Sequence, residues 1–535
     1  MIRNKTWLGG LMSLVTMMAA HLAAQAGTWQ PLANPPPMPD IFDPDTGAFL
    51  CEGGAAFPIL LTDGSVIFQN YSSLAFHADG RVLKLTPDVN GSYSHGTWSE
   101  IARIPYVPVF AAQAVLADGR VLIEGGEASG VNPKFTLTNE GAIYDPRSNS
   151  WTSVAPPPFF VNLYPPRAVF APNPIGDSAC VVLPNGTFML QDKMSRQAAL
   201  LNPKTMTWTE TGTATKADLN DEEGWTLLPN GKVLTVDCYT DFAFGLTDHY
   251  PKDPTNSEIY DPQTAAWTSA GSTINTLTDN VLFEIGPAVL RPDGTVFAVG
   301  SQGYTSIYDS RTGQWSVGPR LPRGLNGHRI TAQDAPGALL PNGNVLIAGT
   351  GGPVHFGASD PPVYFLEFDG QNLFFEPSTP NAANEVAAEI NLLVLPTGEI
   401  LEADGTKDIE IYTPDNISHN PKWEPIIRNA PSVVNPGGSY TISGVRFNGM
   451  SQASAFGDEE QNATNYPLVR ITNLATNHVF YSRTHDHSSM AVASNQLVST
   501  HFDVPQTQEF GASKLEVVAN GIASAPVSVL VTRGH

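Results

Sequence analysis

The chain has 535 residues and a formal net charge of −23 at pH 7, from 28 Lys and Arg against 51 Asp and Glu. This charge argues against nucleic acid and anionic membrane surfaces as partners, because both would be repelled. Gly (47) and Pro (45) are abundant while charged residues make up only 15%, which is typical of many short strands joined by turns and excludes a helical bundle.

The first 26 residues predict a signal peptide. Arg3 and Lys5 precede an apolar stretch over residues 7–24, and Ala24-Gln25-Ala26 is a small-x-small cleavage site. We therefore expect export, to an extracellular or periplasmic location, with cleavage near Ala26. No later stretch holds about 20 consecutive apolar residues, so the sequence predicts no transmembrane anchor. Cysteine pairing stays open, because the sequence does not choose among Cys51, Cys180 and Cys238.

From about residue 55 onwards the chain repeats one hairpin seven times. Each copy has an apolar strand, a turn that ends in Gly and a second apolar strand. The copies are "FPILLTDGSVIFQ", "AAQAVLADGRVLIEGG", "ACVVLPNGTFMLQD", "GWTLLPNGKVLTVD", "GPAVLRPDGTVFAVG", "GALLPNGNVLIAGTGG" and "NLLVLPTGEILEADG". Six of the seven turns are Asp-Gly or Asn-Gly, which favours two-residue type I′ turns. The spacing of 45 to 67 residues between turn glycines matches a four-stranded propeller blade.

A second signature follows most hairpins and ends in Trp. It reads "IYDPRSNSW", "LLNPKTMTW", "IYDPQTAAW" and "IYDSRTGQW", and we expect Trp98 and Trp423 to end two further blades. A Trp that recurs once per repeat is interpreted as core that packs neighbouring blades together. Together the signatures resemble the kelch motif and predict a seven-bladed β-propeller over residues 27–428. The stretch "GTWQPLANPP" is predicted to pair into the last blade, which would close the ring.

The repeat stops near Pro431, where a second domain is predicted. Residues 429–535 alternate apolar and polar residues between Gly and Pro turns, as in "PSVVNPGGSYTISGVRFNG". This pattern indicates an immunoglobulin-like β-sandwich. The predicted fold class is therefore all-β, a propeller of seven blades followed by a sandwich.

This domain order resembles the galactose oxidase family. In that family a loop of the sandwich carries a His along the propeller axis to a copper ion, and His485 in "YSRTHDHSSMAV" matches the family's Thr-His motif. The family also requires a Cys cross-linked to a Tyr, and a Tyr-His pair. Here Ala55 and Phe110 stand where the first two should fall, and Gln333-Asp334 or Ala388-Glu389 where the pair should fall. We expect the family's architecture without its copper-radical chemistry.

Residues nine positions before each turn glycine are predicted to form one ring around the propeller axis, because the innermost strands line the axis. Four of the seven are carboxylates, with Glu284 beside the fifth position. The seven are Ala55, Phe110, Asp177, Glu222, Ile285, Asp334 and Glu389. Carboxylates that converge need raised pKa values, basic partners or a bound cation. Carboxylate ligands favour calcium or manganese over copper.

The sequence leaves two interpretations of this ring open. In the first, one divalent cation is held by carboxylates of the propeller together with a His pair of the second domain. The candidate ligands are Asp177, Glu222, Asp334, Glu389, His485 and His487. In the second, the His and Asp side chains of the second domain form hydrogen bonds at the propeller mouth and dock the two domains without a metal.

Three functions are compatible with this sequence. The first is a secreted binding protein that recognises a glycan or another protein at the propeller mouth. The second is a metal-dependent or degenerate galactose oxidase-like enzyme that acts on carbohydrate, with a ring carboxylate as general base. The third is a cell-surface or matrix protein that associates with copies of itself through long loops such as residues 240–257. The sequence does not fix the ligand or the oligomeric state.

Overall fold

The structure is a computed structural model that describes residues 27–73, 75–129, 137–160, 173–211, 216–217, 219–238, 255–279, 284–352, 361–458 and 462–534. The predicted signal peptide and most of the loop at residues 240–257 lie outside these residues. Among the described residues, no helix has the length and apolar character needed to cross a membrane. Regular structure there is almost entirely strand, with two short 3₁₀ helices, η1 (Ala387–Glu389) and η2 (Pro421–Trp423).

The chain begins with a strand that belongs to the last blade and a small hairpin that precedes the first. These are β1 (Thr28–Pro31), β2 (Ile41–Phe42) and β3 (Phe49–Cys51). The first blade is a four-stranded antiparallel sheet of β4 (Gly54–Leu60), β5 (Val66–Ser72), β6 (His77–Thr86) and β7 (Thr97–Ile101). The short strands β8 (Pro108–Val109) and β11 (Ala128–Ser129) pair beside the second blade, which contains β9 (Ala112–Val115), β10 (Val121–Glu124), β12 (Gly141–Asp145) and β13 (Ser150–Val154).

Blades three to five follow the same order, with the innermost strand first. Blade three contains β14 (Cys180–Val182), β15 (Phe188–Gln191), β16 (Ala198–Asn202) and β17 (Thr207–Glu210). Blade four contains β18 (Thr226–Leu227), β19 (Val233–Val236), β20 (Ser257–Asp261) and β21 (Ala266–Ser269). Blade five contains β22 (Ala288–Leu290), β23 (Thr295–Val299), β24 (Thr305–Asp309) and β25 (Gln314–Val317).

The last two blades complete the ring of seven and confirm the predicted propeller. Blade six contains β26 (Gly337–Leu339), β27 (Val345–Thr350), β28 (Val363–Phe368) and β29 (Leu373–Phe375). Blade seven contains β30 (Asn391–Val394), β31 (Ile400–Ala403) and β32 (Glu410–Thr413), and its outermost strand is β1. The predicted closure is therefore present, because Trp29 of β1 pairs with Tyr412 of β32. The first strand of the described chain thus completes the last blade.

The hairpin turns differ from the prediction in type. All seven turn glycines have positive φ, but the residue before each of these glycines does not. A type I′ turn requires positive φ at both residues, so these are not type I′ turns. In the first hairpin the Leu61 and Ser65 backbones close a three-residue loop, which is a type I turn followed by a left-handed glycine. The Asp63 carboxylate accepts from the Ser65 amide at 3.0 Å. Asp and Asn recur at this position because their side chains satisfy that amide.

The repeated Trp residues join neighbouring blades, as predicted. The Trp151 indole in blade two donates to the Ala102 carbonyl at the end of blade one, at 2.9 Å. The Trp208 indole in blade three donates to the Ala155 carbonyl at the end of blade two, at 2.8 Å. Blade seven differs from the prediction, because Trp423 lies in η2 and the position on the outermost strand is filled by Trp29.

The C-terminal region forms a nine-stranded assembly that is consistent with the predicted sandwich. Its strands are β33 (Ile426–Asn429), β34 (Val433–Val434), β35 (Ser439–Val445), β37 (Leu468–Asn473), β38 (Val479–His485), β39 (Val498–Asp503), β40 (Gly511–Ala519), β41 (Ile522–Ala523) and β42 (Val527–Val531). Strand β38 pairs with β37 through its first half and with β39 through its second half. Ile442 and Phe502 from one side share a buried core with Ile471 and Val517 from the other.

One segment of the C-terminal region, residues 450–458 and 462–465, runs along the propeller axis and is called the axial segment below. Its strand β36 (Ser454–Ala455) pairs with β26, the innermost strand of blade six. The Gln452 side chain accepts from the Leu227 amide of blade four at 2.7 Å, and Asn462 accepts from Gln113 of blade two at 2.9 Å. The segment therefore contacts innermost strands from several sides of the ring.

Candidate functional site

Three of the seven predicted ring positions share one backbone conformation. Phe110, Glu222 and Asp334, each nine residues before its turn glycine, have φ angles of 50°, 59° and 44°. Few residues other than glycine adopt this left-handed conformation. Its recurrence at one offset in three blades indicates that the chain enters these innermost strands in the same way.

The buried side chain of Lys193 lies among four carboxylates. The Lys193 ammonium donates to Asp177 and, at 2.7 Å, to Glu222, and it lies 3.3 Å from Asp221 and 3.8 Å from Asp458. Its side chain is only 8% exposed. Blade three supplies Lys193 and Asp177, blade four supplies Asp221 and Glu222, and the axial segment supplies Asp458. We call these five residues the axial cluster.

The axial cluster is short of positive charge. Four carboxylates around one ammonium would carry a net charge of −3 if all were ionised. Burial raises the pKa of Asp177 and of Asp221 to about 7, and the Lys193 ammonium opposes a larger rise. Burial acts to lower the pKa of Lys193, but Asp177, Glu222 and Asp221 outweigh it and raise that pKa well above its usual value. The cluster is thus stabilised by protons on some carboxyl groups and by a charged lysine.

A second pair of acids extends this cluster. Burial raises the pKa of Glu284 well above its usual value, and the neighbouring Asp334 raises it further. Burial also raises the pKa of Asp334 to about 7, and its hydrogen bond with Glu284 limits the rise. Two carboxyl groups in contact share a proton most easily, because one can donate while the other accepts. Burial raises the pKa of Glu127 to about 7, and the negative charge of the nearby Asp177 contributes to this rise.

Two further acids, the predicted ring residue Glu389 and the neighbouring Glu223, form contacts with residues outside the axial cluster. Glu389, in η1, accepts a hydrogen bond from the Tyr71 hydroxyl at 3.3 Å. Glu223 turns away from its two acidic neighbours and pairs with the fully buried Lys216 at 2.7 Å. The run Asp221-Glu222-Glu223 is therefore split, since its first two carboxylates join the axial cluster and the third stabilises blade four.

The histidines lie at the other end of the propeller. The His487 amide donates to the Ala117 carbonyl and the Thr484 amide to the Thr62 carbonyl, both in the hairpin turns of blades one and two. Ala117 is seven residues along from Phe110, which corresponds to roughly 23 Å of extended strand. The structure therefore does not bring His485 or His487 together with Asp177 and Glu222. Asp458 is the residue of the C-terminal region that reaches the axial cluster.

The two imidazoles of the predicted His pair, His485 and His487, do not share one face of a strand. Asp486 between them has a left-handed φ of 52°, which ends the regular alternation after His485. The His487 ring is buried and stacks on Tyr466 at 6.4 Å, whereas His485 faces Asp503. Burial lowers the pKa of His487 to about 3, so this ring is neutral. Its contacts with the hairpin turns agree with a role in docking the two domains.

The residues at the axis do not fit a copper-radical centre. Ala55 and Phe110 offer neither a thiol nor a phenol. The aromatic rings beside Phe110 are Phe57, at 5.6 Å between ring centroids, and Tyr71, at 6.1 Å, and the Tyr71 hydroxyl donates to Glu389. Carboxylates and an ammonium replace imidazole and phenolate, which are the ligands that such copper chemistry requires. No disulfide joins Cys51, Cys180 and Cys238 in the described part of the chain, and the Cys238 thiol donates to the Glu222 carbonyl at 2.9 Å.

A pocket of about 210 Å³ lies between blades one and two, beside the axial cluster. It is lined by Ala75, Phe76, His77, Val109, Phe110, Glu127 and Ala128. Phe110 is a ring position, and Glu127 connects the pocket electrostatically to Asp177 and Glu222. An apolar wall with a few polar groups is the usual composition of a small-molecule site.

Comparisons with known proteins find similar solved structures at low sequence identity. No protein-family model and no curated protein sequence matches this chain. Among solved structures, the chain is similar to a fungal alcohol oxidase of the AA5 family in complex with copper, at 14% identity and a TM-score of 0.48, over 95% of this chain and 100% of that one. It is also similar to virginiamycin B lyase from Staphylococcus aureus, at 11% identity and a TM-score of 0.43, over 72% of this chain and 99% of that one.

Two of the five residues of the axial cluster, Asp177 and Glu222, were predicted as ring positions. Lys193 was not predicted, because only positions on the innermost strand were counted. Lys193 comes just after β15, which runs antiparallel to the innermost strand and so returns to the same end of the blade. A count forward from each turn glycine would have found it. Asp458 had no such signal, since the path of the axial segment is a tertiary feature.

Proposed function

We propose that this protein is a ligand-binding propeller whose site is the pocket between blades one and two together with the adjoining acids, and that its ligand is a glycan. The observation that carries this proposal is the position of Glu127. Glu127 lines the pocket, and its carboxyl group interacts electrostatically with Asp177 and Glu222 of the axial cluster. An apolar pocket and a polar cluster are thereby combined in one site.

The chemistry of the lining suits a neutral, polyhydroxylated molecule. Phe76 and Phe110 offer aromatic surface for the apolar face of a sugar ring. Carboxyl groups with a pKa near 7 can accept or donate hydrogen bonds at neutral pH, which matches hydroxyl groups that do both. The net charge of −23 disfavours anionic ligands. A protein is the alternative ligand.

In this proposal Lys193 takes the role that the sequence argument gave to a divalent cation. An ion held by Asp177, Glu222 and Asp458, whose oxygens lie within 4.8 Å of one another, would lie a few ångströms from the Lys193 ammonium. Repulsion between the two cations is strong in a buried site. We therefore propose that calcium or manganese is not needed at the axis. We further propose that the protein is exported, so that the glycan is extracellular or periplasmic.

An enzyme that acts on carbohydrate is a second candidate, favoured by the paired acids. The Glu284 and Asp334 carboxyl groups are in contact, and a shared proton near neutral pH is the property that a general acid and base need. Binding and turnover can be separated in one experiment, because a substrate would be converted whereas a ligand would be recovered intact.

The test is a glycan array with wild-type protein, followed by titration calorimetry of the strongest hit. We expect Glu127→Gln and Phe110→Ala each to weaken binding at least about tenfold, since each removes one half of the proposed site. Phe374→Ala is the matched control, because Phe374 is an exposed aromatic residue of β29, far along the chain from the pocket, and should leave affinity unchanged. A wild-type protein that binds no glycan, or variants that bind as tightly as wild type, would contradict the proposal.

A further inference from the structure

A cluster of imidazole and carboxylate groups lies on the C-terminal region, apart from the axial cluster. His485 at the end of β38 is the direct cross-strand partner of His501 on β39. Their rings stack with centroids 5.5 Å apart and planes tilted by 19°. The Asp486 carboxylate lies 2.7 Å from Nδ1 of His485 and 4.0 Å from Nδ1 of His501. Two ring nitrogens and one carboxylate oxygen therefore converge within 4.8 Å of one another.

We propose that His485, Asp486 and His501 bind a divalent transition metal of the zinc class. Zinc binds imidazole nitrogen and carboxylate oxygen at about 2.0–2.2 Å in a tetrahedron, which places neighbouring ligand atoms about 3.3 Å apart. The observed separations of 2.7 and 4.0 Å lie on either side of this value. Small rotations of exposed side chains are enough to bring the three atoms to coordination distance.

An independent observation supports ligation by His485. Its second ring nitrogen, Nε2, lies 3.2 Å from the Asp503 carboxylate, and Asp503 in turn accepts from Arg483 at 2.6 Å. A metal-binding imidazole usually donates its other N–H to a carboxylate, which fixes the tautomer and orients the ring. With the proton on Nε2, the Nδ1 lone pair is directed toward the Asp486 oxygen and is available to a metal. Asp503 is thus a positioning residue.

The site is open to solvent on one side and fixed on the other. The side chains of Asp486 and His501 are 57% and 47% exposed, whereas that of His485 is 16% exposed. Three protein ligands with a solvent-facing fourth position are sufficient for zinc, because water completes the tetrahedron. His487 is not part of the set, since its Nδ1 lies 2.8 Å from the Thr500 hydroxyl on the buried side.

A metal at this site would strengthen the contact between the two domains. The flanking amides of Thr484 and His487 donate to the hairpin turns of blades one and two. Binding that fixes His485 and Asp486 to His501 would therefore order the segment that docks on the propeller. This inference does not depend on the glycan proposal, because the axial cluster lies at the opposite end of the innermost strands.

The test is titration calorimetry of full-length protein, purified without a histidine tag, with zinc. We expect about one equivalent to bind, and His501→Ala and Asp486→Asn each to weaken binding at least about tenfold; Asp503→Asn should weaken it by a similar factor through loss of the second contact. His478→Ala is the control, because His478 forms a partly exposed pair with Glu509 in the same region, outside the proposed site, and should keep wild-type affinity.

Cobalt substitution supplies a second readout that a merely structural role would not alter. The wild-type cobalt complex should show the intense visible absorption of a four-coordinate site, and this absorption should be lost in His501→Ala. Since the side chains of Asp486 and His501 are about half exposed, Asp486→Asn and His501→Ala are expected to keep the wild-type unfolding temperature without metal. Failure of the wild type to bind an equivalent of zinc, or equal affinities for wild type and His501→Ala, would overturn the proposal.

Discussion

Replacing Lys193 by Met is expected to destabilise the protein by about 3–5 kcal/mol at pH 8, which is the typical effect of removing one partner from a buried ion pair. The variant leaves Asp177, Asp221, Glu222 and Asp458 close together without an ammonium among them. These carboxylates would then repel one another in a site with little water. The loss should be smaller at pH 5.5, because carboxyl groups can then be protonated. Urea unfolding at both pH values measures this difference.

Lys232→Met is the matched control for this substitution. Lys232 forms a similar pair with Asp261 at 3.0 Å, but its side chain is 36% exposed. A surface pair of this kind contributes at most about 1 kcal/mol. If the Lys193 variant lost no more stability than this control at pH 8, the axial cluster could not depend on an internal ammonium.

Wild-type stability is expected to fall as the pH rises from about 5 to 8, with the acids of blade seven as a main cause. Glu402 and Glu410 face each other on β31 and β32 and are completely buried. Burial raises the pKa of Glu410 to about 7 and that of Glu402 well above its usual value, while in the unfolded chain both titrate near 4.5. The folded state thus holds protons that the unfolded state has released. The free energy of unfolding must therefore decrease across that window.

Glu402→Gln should flatten this pH dependence and make the protein more stable than wild type at pH 8, by an amount on the order of 2 kcal/mol. The substitution removes one buried carboxyl group and supplies an amide that can donate to Glu410. Glu100→Gln is the control, because Glu100 is 57% exposed and should leave the pH profile as in wild type. Identical slopes for wild type and Glu402→Gln between pH 5 and pH 8 would rule out this explanation.

The seven blades could be predicted from the sequence because each hairpin carries its own local signal. An Asp or Asn followed by Gly between apolar strands specifies the turn without help from the rest of the fold. The turn type was predicted wrongly, since type I′ and type I with a left-handed glycine share this pair of residues. The closure by the N-terminal strand was also predicted, because "GTWQPLANPP" resembles "KWEPIIRNAP" at the end of the propeller.

The axial cluster could be predicted only in part. The sequence repeat indicates where a residue lies along a blade, but it contains no information on the path of the C-terminal region. Asp177 and Glu222 followed from one offset in the repeat. The resemblance to a known family then directed attention to His485, but in this chain the segment along the axis carries Asp458. A Thr-His sequence identifies a residue type, and only the tertiary fold decides which loop enters the ring.

The central claim, that carboxylates from two blades and the axial segment are held together by the Lys193 ammonium, is tested most directly by a double-mutant cycle between Lys193→Met and Asp177→Asn. Unfolding free energies of the wild type, both single variants and the double variant at pH 8 give the coupling between the two side chains. We expect a coupling of about 2 kcal/mol or more, with Asp177→Asn partly rescuing the Lys193 variant, because groups in one buried network are not additive. Additivity within about 0.5 kcal/mol would contradict the account.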